Sequence, residues 1–481
     1  MTNDQLTTNH EPMPNLILSF KKDIFLDERA GDEFVLRSPT VTVDLKHLPI
    51  GIKAAIAILA TEEVTEEELC HPILITDGNS ALPQFYYYLQ QFITLGWICH
   101  TIRAGDFSLA TLIPIATPYQ FEFSKAAPDR KYVLSRFVYC HQNHEQFVIE
   151  SPLSHAKVVF RDWRSAAMVN LLAQPQDCRA LTEIPGISVD TAQMFLSLLL
   201  SGKMLSEIDE NGKILEEENE TLVQWEFHDL LFHSRSRSGR HSNPVGKTYR
   251  FLGKIQPLSA VKTQKANEII ELYKPDLQKL LEADVPLTQV LEQRKSVRIH
   301  GDKPISATQL GEFLYRCARI KAIGQKEYIE CSARPYPSGG ACYELELYIV
   351  VNTCESIPSG LYHYCPQNHQ LAKIAARNGY IEALLKNASQ ATGESCLPQI
   401  LIILTARFAR VSWAYESIAY SLILKHVGVL YQTMYLVATV MDLAPCALGQ
   451  SNSDLFAMAT GIDYYSESSV GEFILGNIKS V

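Results

Sequence analysis

Residues 334–351 read Arg334-Pro335-Tyr336-Pro337-Ser338-Gly339-Gly340-Ala341-Cys342-Tyr343 and then Glu344-Leu345-Glu346-Leu347-Tyr348-Ile349-Val350-Val351. The second half alternates and is rich in β-branched and aromatic residues, which predicts a strand. The first half holds two prolines, a serine and two adjacent glycines. Such a loop can set bare backbone N–H groups against a flat or anionic ligand, because glycine permits approaches that a Cβ blocks. Standing alone, it would also serve as an ordinary turn before a strand.

Upstream lies Arg294-Lys295-Ser296-Val297-Arg298, behind the helix-like run 287–292. Two guanidinium groups with a hydroxyl between them suit a terminal phosphate. Arg gives planar, bidentate donors whose charge cannot be lost, and Ser adds a short neutral donor. A solvated basic turn has the same composition.

At 481 residues the chain exceeds one comfortable core, so several domains are expected. Its 47% hydrophobic and 20% charged content describes a globular protein. A net charge of −10 argues against a general nucleic-acid binder, whose footprint is basic. Residues 1–13 are polar without an apolar stretch, and no run approaches the ~20 apolar residues of a membrane span. A cytoplasmic protein, off the membrane, is the expectation. The 11 cysteines form no Cys-x-x-Cys pair and no paired Cys/His spacing, so reduced thiols and no metal site are expected.

The N-terminal 205 residues contain a faint repeat. Phe34-Val35-Leu36-Arg37-Ser38-Pro39 is echoed by Phe147-Val148-Ile149-Glu150-Ser151-Pro152, and the apolar run at 54–60 by that at 166–173. A helix ending Leu95-Gly96-Trp97-Ile98 is matched by one ending Ser201-Gly202-Lys203-Met204. Strand, helix, shorter helix, long helix and an extended segment thus occur twice, a winged-helix-like order. The helices that would read DNA, around Phe85-Tyr86-Tyr87-Tyr88 and Thr191-Ala192-Gln193-Met194, carry too little positive charge for it. The acidic run 216–220 predicts a solvated linker. The basic patch from Arg235 to Arg240 would either grip an acidic peptide or cap the surface of the C-terminal domain.

From 287 the pattern is α+β. A helix over 308–319, strands over 344–352 and 399–405, a hairpin through 362–364 and 371–374, a long apolar helix over 418–442 and a closing strand over 471–476 are predicted. The long helix is too apolar for a lone surface, which points to burial at a dimer interface.

Arg-x-Ser-x-Arg, the Pro-Ser-Gly-Gly loop, and the apolar helix with Pro445-Cys446-Ala447-Leu448-Gly449 resemble, in that order, the FMN-dependent nitroreductase superfamily. Within it they look most like the azoline dehydrogenase branch, the streptolysin-S-type dehydrogenases and cyanobactin thiazoline oxidases. The runs 227–237, 311–315 and 360–364 share the likeness, which covers about 225–478. The resemblance implies an α+β fold: a nitroreductase-like FMN domain over 225–481, preceded by two winged-helix-like peptide-clamp modules. These would occupy 14–110 and 111–208, with a flexible tail over 1–13 and an acidic linker over 209–224. It implies a homodimer and FMN-dependent oxidation of thiazoline or oxazoline rings to azoles in ribosomally made peptides, with oxygen as acceptor. Leader peptides would be held by strand addition, or the modules would only pack on the catalytic domain. The alternatives are an NAD(P)H-dependent flavin or nitro reductase and a non-catalytic peptide scaffold.

By motif match, Arg294, Ser296 and Arg298 would hold the FMN phosphate and ribityl chain. Pro337, Ser338 and Gly339 would meet the ring from the other subunit, with Gln432, Leu448 and Gly449 as further contacts. Relatives often carry a Lys-Tyr pair after a Trp where this chain reads Trp413-Ala414-Tyr415, so the lysine is replaced. The proton-transfer candidates are then Tyr415, His426 and Lys425. Tyr415 is favoured as base, although its pKa of ~10 would have to fall. On a continuous helix, Tyr415 and His426 would lie ~16 Å apart and could not share one substrate carbon.

Overall fold

The computed structural model describes residues 15–29, 33–263, 268–393 and 397–479. The tail expected over 1–13 lies outside them. Contacts divide the chain into two compact units, Met1–Asn243 and Pro244–Val481.

In the N-terminal unit, β1 (Asn15–Phe20) precedes an antiparallel sheet of β2 (Phe25–Arg29), β3 (Glu33–Arg37) and β4 (Thr42–Leu45). Then come α1 (Ile50–Thr61), β5 (Val64–Thr65), α2 (Glu66–Thr76) and α3 (Leu82–Thr94). Thr65 starts α2 with a capping box to Glu68, which satisfies two N-terminal donors at once. The hairpin of β6 (Ile98–Ala104) and β7 (Phe107–Pro114) closes this copy. The order then recurs. After β8 (Tyr132–Leu134) come β9 (Tyr139–Asn143), β10 (Gln146–Glu150) and β11 (Ala156–Phe160). They are followed by α4 (Trp163–Leu171), α5 (Cys178–Leu181), α6 (Val189–Ser201) and β12 (Leu205–Glu207). The echoed motifs fall on β3 and β10.

The two copies are not separate modules. Strand β7 pairs with β11, so one antiparallel sheet, ordered β5-β1-β6-β7-β11-β10-β9, runs through both. The expected boundary at 110/111 falls inside β7, whose Leu109 and Leu112 pack in the core of the second copy. An uncovered edge strand is a liability, and each copy here covers the other's edge.

The stretch 209–224 is not a free linker. Glu216 accepts from Ser135 Oγ (2.5 Å) and the Arg136 N–H (3.0 Å), and the Arg136 guanidinium donates to the carbonyls of Leu222 and Trp225. Nor does 225–243 open the catalytic unit. Helix α7 (Phe227–Arg235) brings Arg235 to Glu150 on β10 at 2.8 Å, and Arg240 reaches the Pro152 carbonyl. The basic patch therefore caps the N-terminal unit, because a carboxylate on β10 offers it a buried counter-charge.

The C-terminal unit begins with β13 (Gly246–Lys247), β14 (Ile269–Glu271), α8 (Leu277–Ala283) and α9 (Leu287–Gln293). Next are β15 (Ile305–Ser306), α10 (Ala307–Ala318), the hairpin β16 (Ala322–Lys326) and β17 (Ile329–Ala333), and β18 (Leu345–Val351). Then follow β19 (Cys354–Glu355), β20 (Gly360–Cys365), β21 (Gln370–Ala376), α11 (Gly379–Thr392) and β22 (Ile400–Arg407). The chain continues through α12 (Ala409–Ser412), β23 (Tyr415–Glu416), α13 (Ala419–Val440), β24 (Leu443–Leu448), α14 (Ser453–Thr460) and β25 (Glu467–Asn477).

The main sheet is antiparallel, ordered β14-β21-β20-β18-β22-β25-β24. Leu345, Leu347, Ile349 and Val351 of β18 face a core shared with α10 and α13, while Tyr348 and Val350 face one shared with α11 and α14. Period-2 alternation buried on both sides is what a central strand between two helical layers requires. Among the described residues, no helix is long and apolar enough to cross a membrane.

Candidate functional site

Helix α13 is the spine of the site. Its buried face is Ile423, His426, Val427, Leu430, Met434 and Ala438, a helical spacing that fixes which side chains turn inward. Near its C-terminal end stands Tyr435, whose hydroxyl accepts the Ala447 N–H of β24 (2.8 Å) and shares a hydrogen bond with Ser296 Oγ (2.9 Å). Arg294, the C-cap of α9, stacks its guanidinium 5.3 Å from the Tyr435 ring centroid. The Val297 N–H donates to the Pro445 carbonyl (2.8 Å), which lays this segment along β24. Arg298 is exposed, and among the described residues nothing pairs with its guanidinium. One cation and a hydroxyl are thus held by the neutral Tyr435, the second cation stands exposed, and no carboxylate claims either charge among the described residues. That arrangement keeps their charge for an anion.

About 13 Å back along the helix, nine residues at ~1.5 Å each, the chemistry is different. His426 Nε2 accepts the Gly339 N–H (2.7 Å), and His426 Nδ1 lies 2.7 Å from Glu344 Oε1. A peptide N–H can only donate, so in the neutral ring the proton sits on Nδ1 and is donated to Glu344. Glu344 is 0% exposed and His426 5%. Ser338 Oγ accepts the Tyr343 N–H (3.0 Å). The buried Arg410 donates twice to the Cys342 carbonyl, at 2.7 and 3.0 Å. These bonds hold a strained loop in which Gly340, Ala341 and Tyr343 have φ of 63°, 55° and 44°.

Tyr415 meets the same loop. A Cβ on Gly340 would lie 2.5 Å from its hydroxyl, and one on Gly339 3.2 Å from His426 Nε2. The sequence-based separation of Tyr415 and His426 is therefore wrong in its premise. Helix α13 starts only at Ala419, after Ser417 with φ 59°, and the turn brings both side chains to adjacent glycines. Burial first, then the Cys342 thiol, raises the Tyr415 pKa, with Glu327 adding and Lys247 opposing. That is opposite to the shift a base needs near neutrality.

Three family models match the chain: the "ThcOx helix turn helix domain" over 13–123, "Cyanobactin oxidase ThcOx" over 132–242 and the "Nitroreductase family" over 291–477. The chain carries a nitroreductase-family domain behind cyanobactin-oxidase modules. It is an oxidoreductase. The putative nitroreductase MJ1384 of Methanocaldococcus jannaschii is 26% identical over 182 residues, 38% of this chain and 85% of that protein. The microcin B17-processing protein McbC of Escherichia coli is 30% identical over 115 residues, 23% of this chain and 42% of that protein. The match therefore spans less than half of McbC. Among solved structures, a putative nitroreductase from Anabaena variabilis aligns with a TM-score of 0.36 at 22% identity, over 51% of this chain and 45% of that one.

Within the nitroreductase domain the expected site residues separate into two groups. Arg294 and Ser296 meet at Tyr435, whereas Ser338, Gly339, Tyr415 and His426 meet at the loop, with Pro337 exposed beside them. Lys425 and Gln432 lie on the exposed side of α13, away from the loop. Leu448 packs its side chain with Phe456 and Ile474 in the α11/α14 core, so only its backbone and the open Gly449 remain for a ligand. Sequence reasoning missed Glu344, Tyr435 and Lys247. Glu344 had a signal, one of two acids, with Glu346, at the start of a strand that is apolar from Leu347 on. The other two had none.

Proposed function

We propose that this chain oxidises thiazoline or oxazoline rings of a peptide to thiazole or oxazole, with FMN as redox group, dioxygen as final acceptor and a homodimer as working form. The carrying observation is the convergence of Tyr415 on the Gly339–Gly340 loop, together with a cationic group built from Arg294, Ser296 and Tyr435 about 13 Å further along α13. The donor set fits FMN: guanidinium groups and a hydroxyl for the phosphate, and a loop at Gly340 where any side chain would collide with Tyr415. When bound, FMN supplies the hydride acceptor, and dioxygen takes up the two electrons with two protons to give hydrogen peroxide.

The protein's share is positioning and a proton. Arg294, Ser296 and Arg298 would hold the phosphate end, and the Pro337-Ser338-Gly339 loop the ring. Tyr415 would act as the tyrosinate, its oxygen receiving the proton lost as the ring aromatises. His426 orients the loop, because its one acceptor nitrogen is already occupied by Gly339.

The likeness to McbC, a microcin-processing protein, supports a peptide substrate. The N-terminal unit supports it too, since a small-molecule reductase leaves that unit without a role. The outward side of α13 supports the dimer: Tyr420 and Leu424 are 47% and 40% exposed, and Gly428 has open space where a second helix could approach. Mass spectrometry of an azoline peptide incubated with the FMN-loaded protein is expected to show a loss of about 2 Da per ring, the mass of two hydrogens. An unchanged mass, with NAD(P)H-dependent nitro reduction instead, would refute the reading.

A further inference from the structure

Tyr415 sits on β23, which among the described residues pairs with β13 alone. The register pairs Gly246 with Glu416 and Lys247 directly with Tyr415. Cross-strand partners project to the same side of a sheet, with Cβ atoms about 4.5–5.5 Å apart. This short ladder is held firmly at both ends. The Thr248 and Tyr249 N–H groups donate to the Ala414 carbonyl (3.0 and 3.3 Å), Thr248 Oγ1 donates to Glu416 (2.9 Å), and Trp413 Nε1 donates to the Ile255 carbonyl (2.6 Å). Lys247 is only 23% exposed in its side chain. Its Nζ lies 5.5 Å from the Tyr249 ring centroid and 3.2 Å from Glu327, a carboxylate 45% exposed on the β16–β17 turn.

We propose that Lys247 is a positioning residue for Tyr415: its ammonium, delivered across the β13–β23 pair, stabilises the tyrosinate that takes a proton from the substrate ring. The inference rests on the azoline-oxidation reading. In that step one ring C–H bond would give its proton to the tyrosinate oxygen of Tyr415, and the C–H bond of the adjacent ring carbon would give its hydrogen as hydride, for which the flavin proposed above would be the acceptor. The other groups facing Tyr415 cannot do this. The Cys342 thiol of the loop is pushed up to about 11 by burial first and by Glu344 next, and neither the thiol nor its thiolate carries positive charge. His426 of α13 is spent between Gly339 and Glu344, and Glu327 is an anion that opposes ionisation. Lys247 is the cation in this set. Glu327, sharing its ammonium with Tyr415, sets how much of the charge the phenol feels.

The direct test is the tyrosinate absorbance of the FMN-loaded protein against pH, taken as wild type minus Tyr415→Phe, which needs no substrate. With Lys247→Met the midpoint for Tyr415 is expected to move up; with Lys247→Arg, which keeps the charge, it stays near wild type. Glu327→Gln is expected to move it down, and carries the test if Lys247→Met fails to fold. In turnover, Lys247→Met lowers azole formation at pH 7 roughly tenfold through kcat, with KM little changed, and raising the pH recovers the rate. A midpoint unmoved by both Lys247→Met and Glu327→Gln overturns the proposal. So does an equal rise in Lys247→Met and Lys247→Arg, which would reveal packing rather than charge. If the midpoints respond as stated but wild type forms no azole, the oxidation reading fails while the Lys247–Tyr415 coupling stands.

Discussion

The two ends of α13 are built on opposite principles. At Tyr435, cations gather without carboxylate partners, and Arg298 stands in solvent. At His426 the charge and hydrogen-bonding capacity is spent internally: carboxylate to imidazole, imidazole to peptide N–H, all buried. A place for a ligand keeps its donors in reserve, whereas a place that aims a loop consumes them. The histidine that looked like a base in sequence belongs to the second kind.

The comparison breaks most easily at the open end. Arg294→Ala combined with Arg298→Ala removes the charge-assisted bonds, each worth about 1.5–3 kcal/mol, and is expected to weaken FMN binding at least ~100-fold without unfolding the chain. Flavin fluorescence titration checks it, and undiminished affinity would place the phosphate elsewhere.

Next, Tyr415→Phe is expected to keep FMN and lose azole formation about 100-fold, the usual contribution of a positioned proton-transfer group. Steady-state turnover measures this, and a rate near wild type would remove Tyr415 from the chemistry.

The closed end is sharpened by two substitutions of one residue. His426→Ala strands the buried Glu344 and the Gly339 N–H, costing about 2–3 kcal/mol of stability and some flavin affinity. His426→Gln, whose amide can accept from Gly339 and donate to Glu344, is expected to restore both and most of the turnover. If His426→Gln is stable, holds FMN and is dead, the imidazole is a base after all.

The smallest effect concerns Glu472, which pairs in register with Leu448 of β24. Burial raises its pKa from 4.5 to about 8, and among the described residues its Oε2 has no hydrogen-bond partner. A folded-state pKa above the unfolded one means the native state holds the proton longer. Its contribution to stability is therefore complete below about pH 4.5 and is lost as pH rises through about 8. Between pH 5 and 8, Glu472→Gln is expected to flatten the fall in unfolding temperature by a few °C. A pH profile identical to wild type would mean that the carboxyl finds solvent.

Much of the catalytic unit was legible in advance. The helix at 308–319, the strands at 344–352 and 399–405 and the long helix at 418–442 appear as α10, β18, β22 and α13, because their periodicity already dictates which faces are buried. The N-terminal repeat was legible as an element order. What it could not reveal was that β7 and β11 join, since hydrogen bonding between strand edges leaves little trace in side-chain pattern.

The sequence by itself thus determined the strands and helices, the cationic Arg294–Arg298 segment and the glycine loop, all of which depend on neighbours along the chain. Only the tertiary structure decided that Tyr415 and His426 converge, that Glu344 claims the histidine and that Lys247 stands opposite Tyr415. The reason is physical: proton affinity and hydrogen-bond partnership depend on distances of a few ångströms. Here the partners lie 82 residues apart for Glu344 and His426, and are set by a strand register for Lys247 and Tyr415.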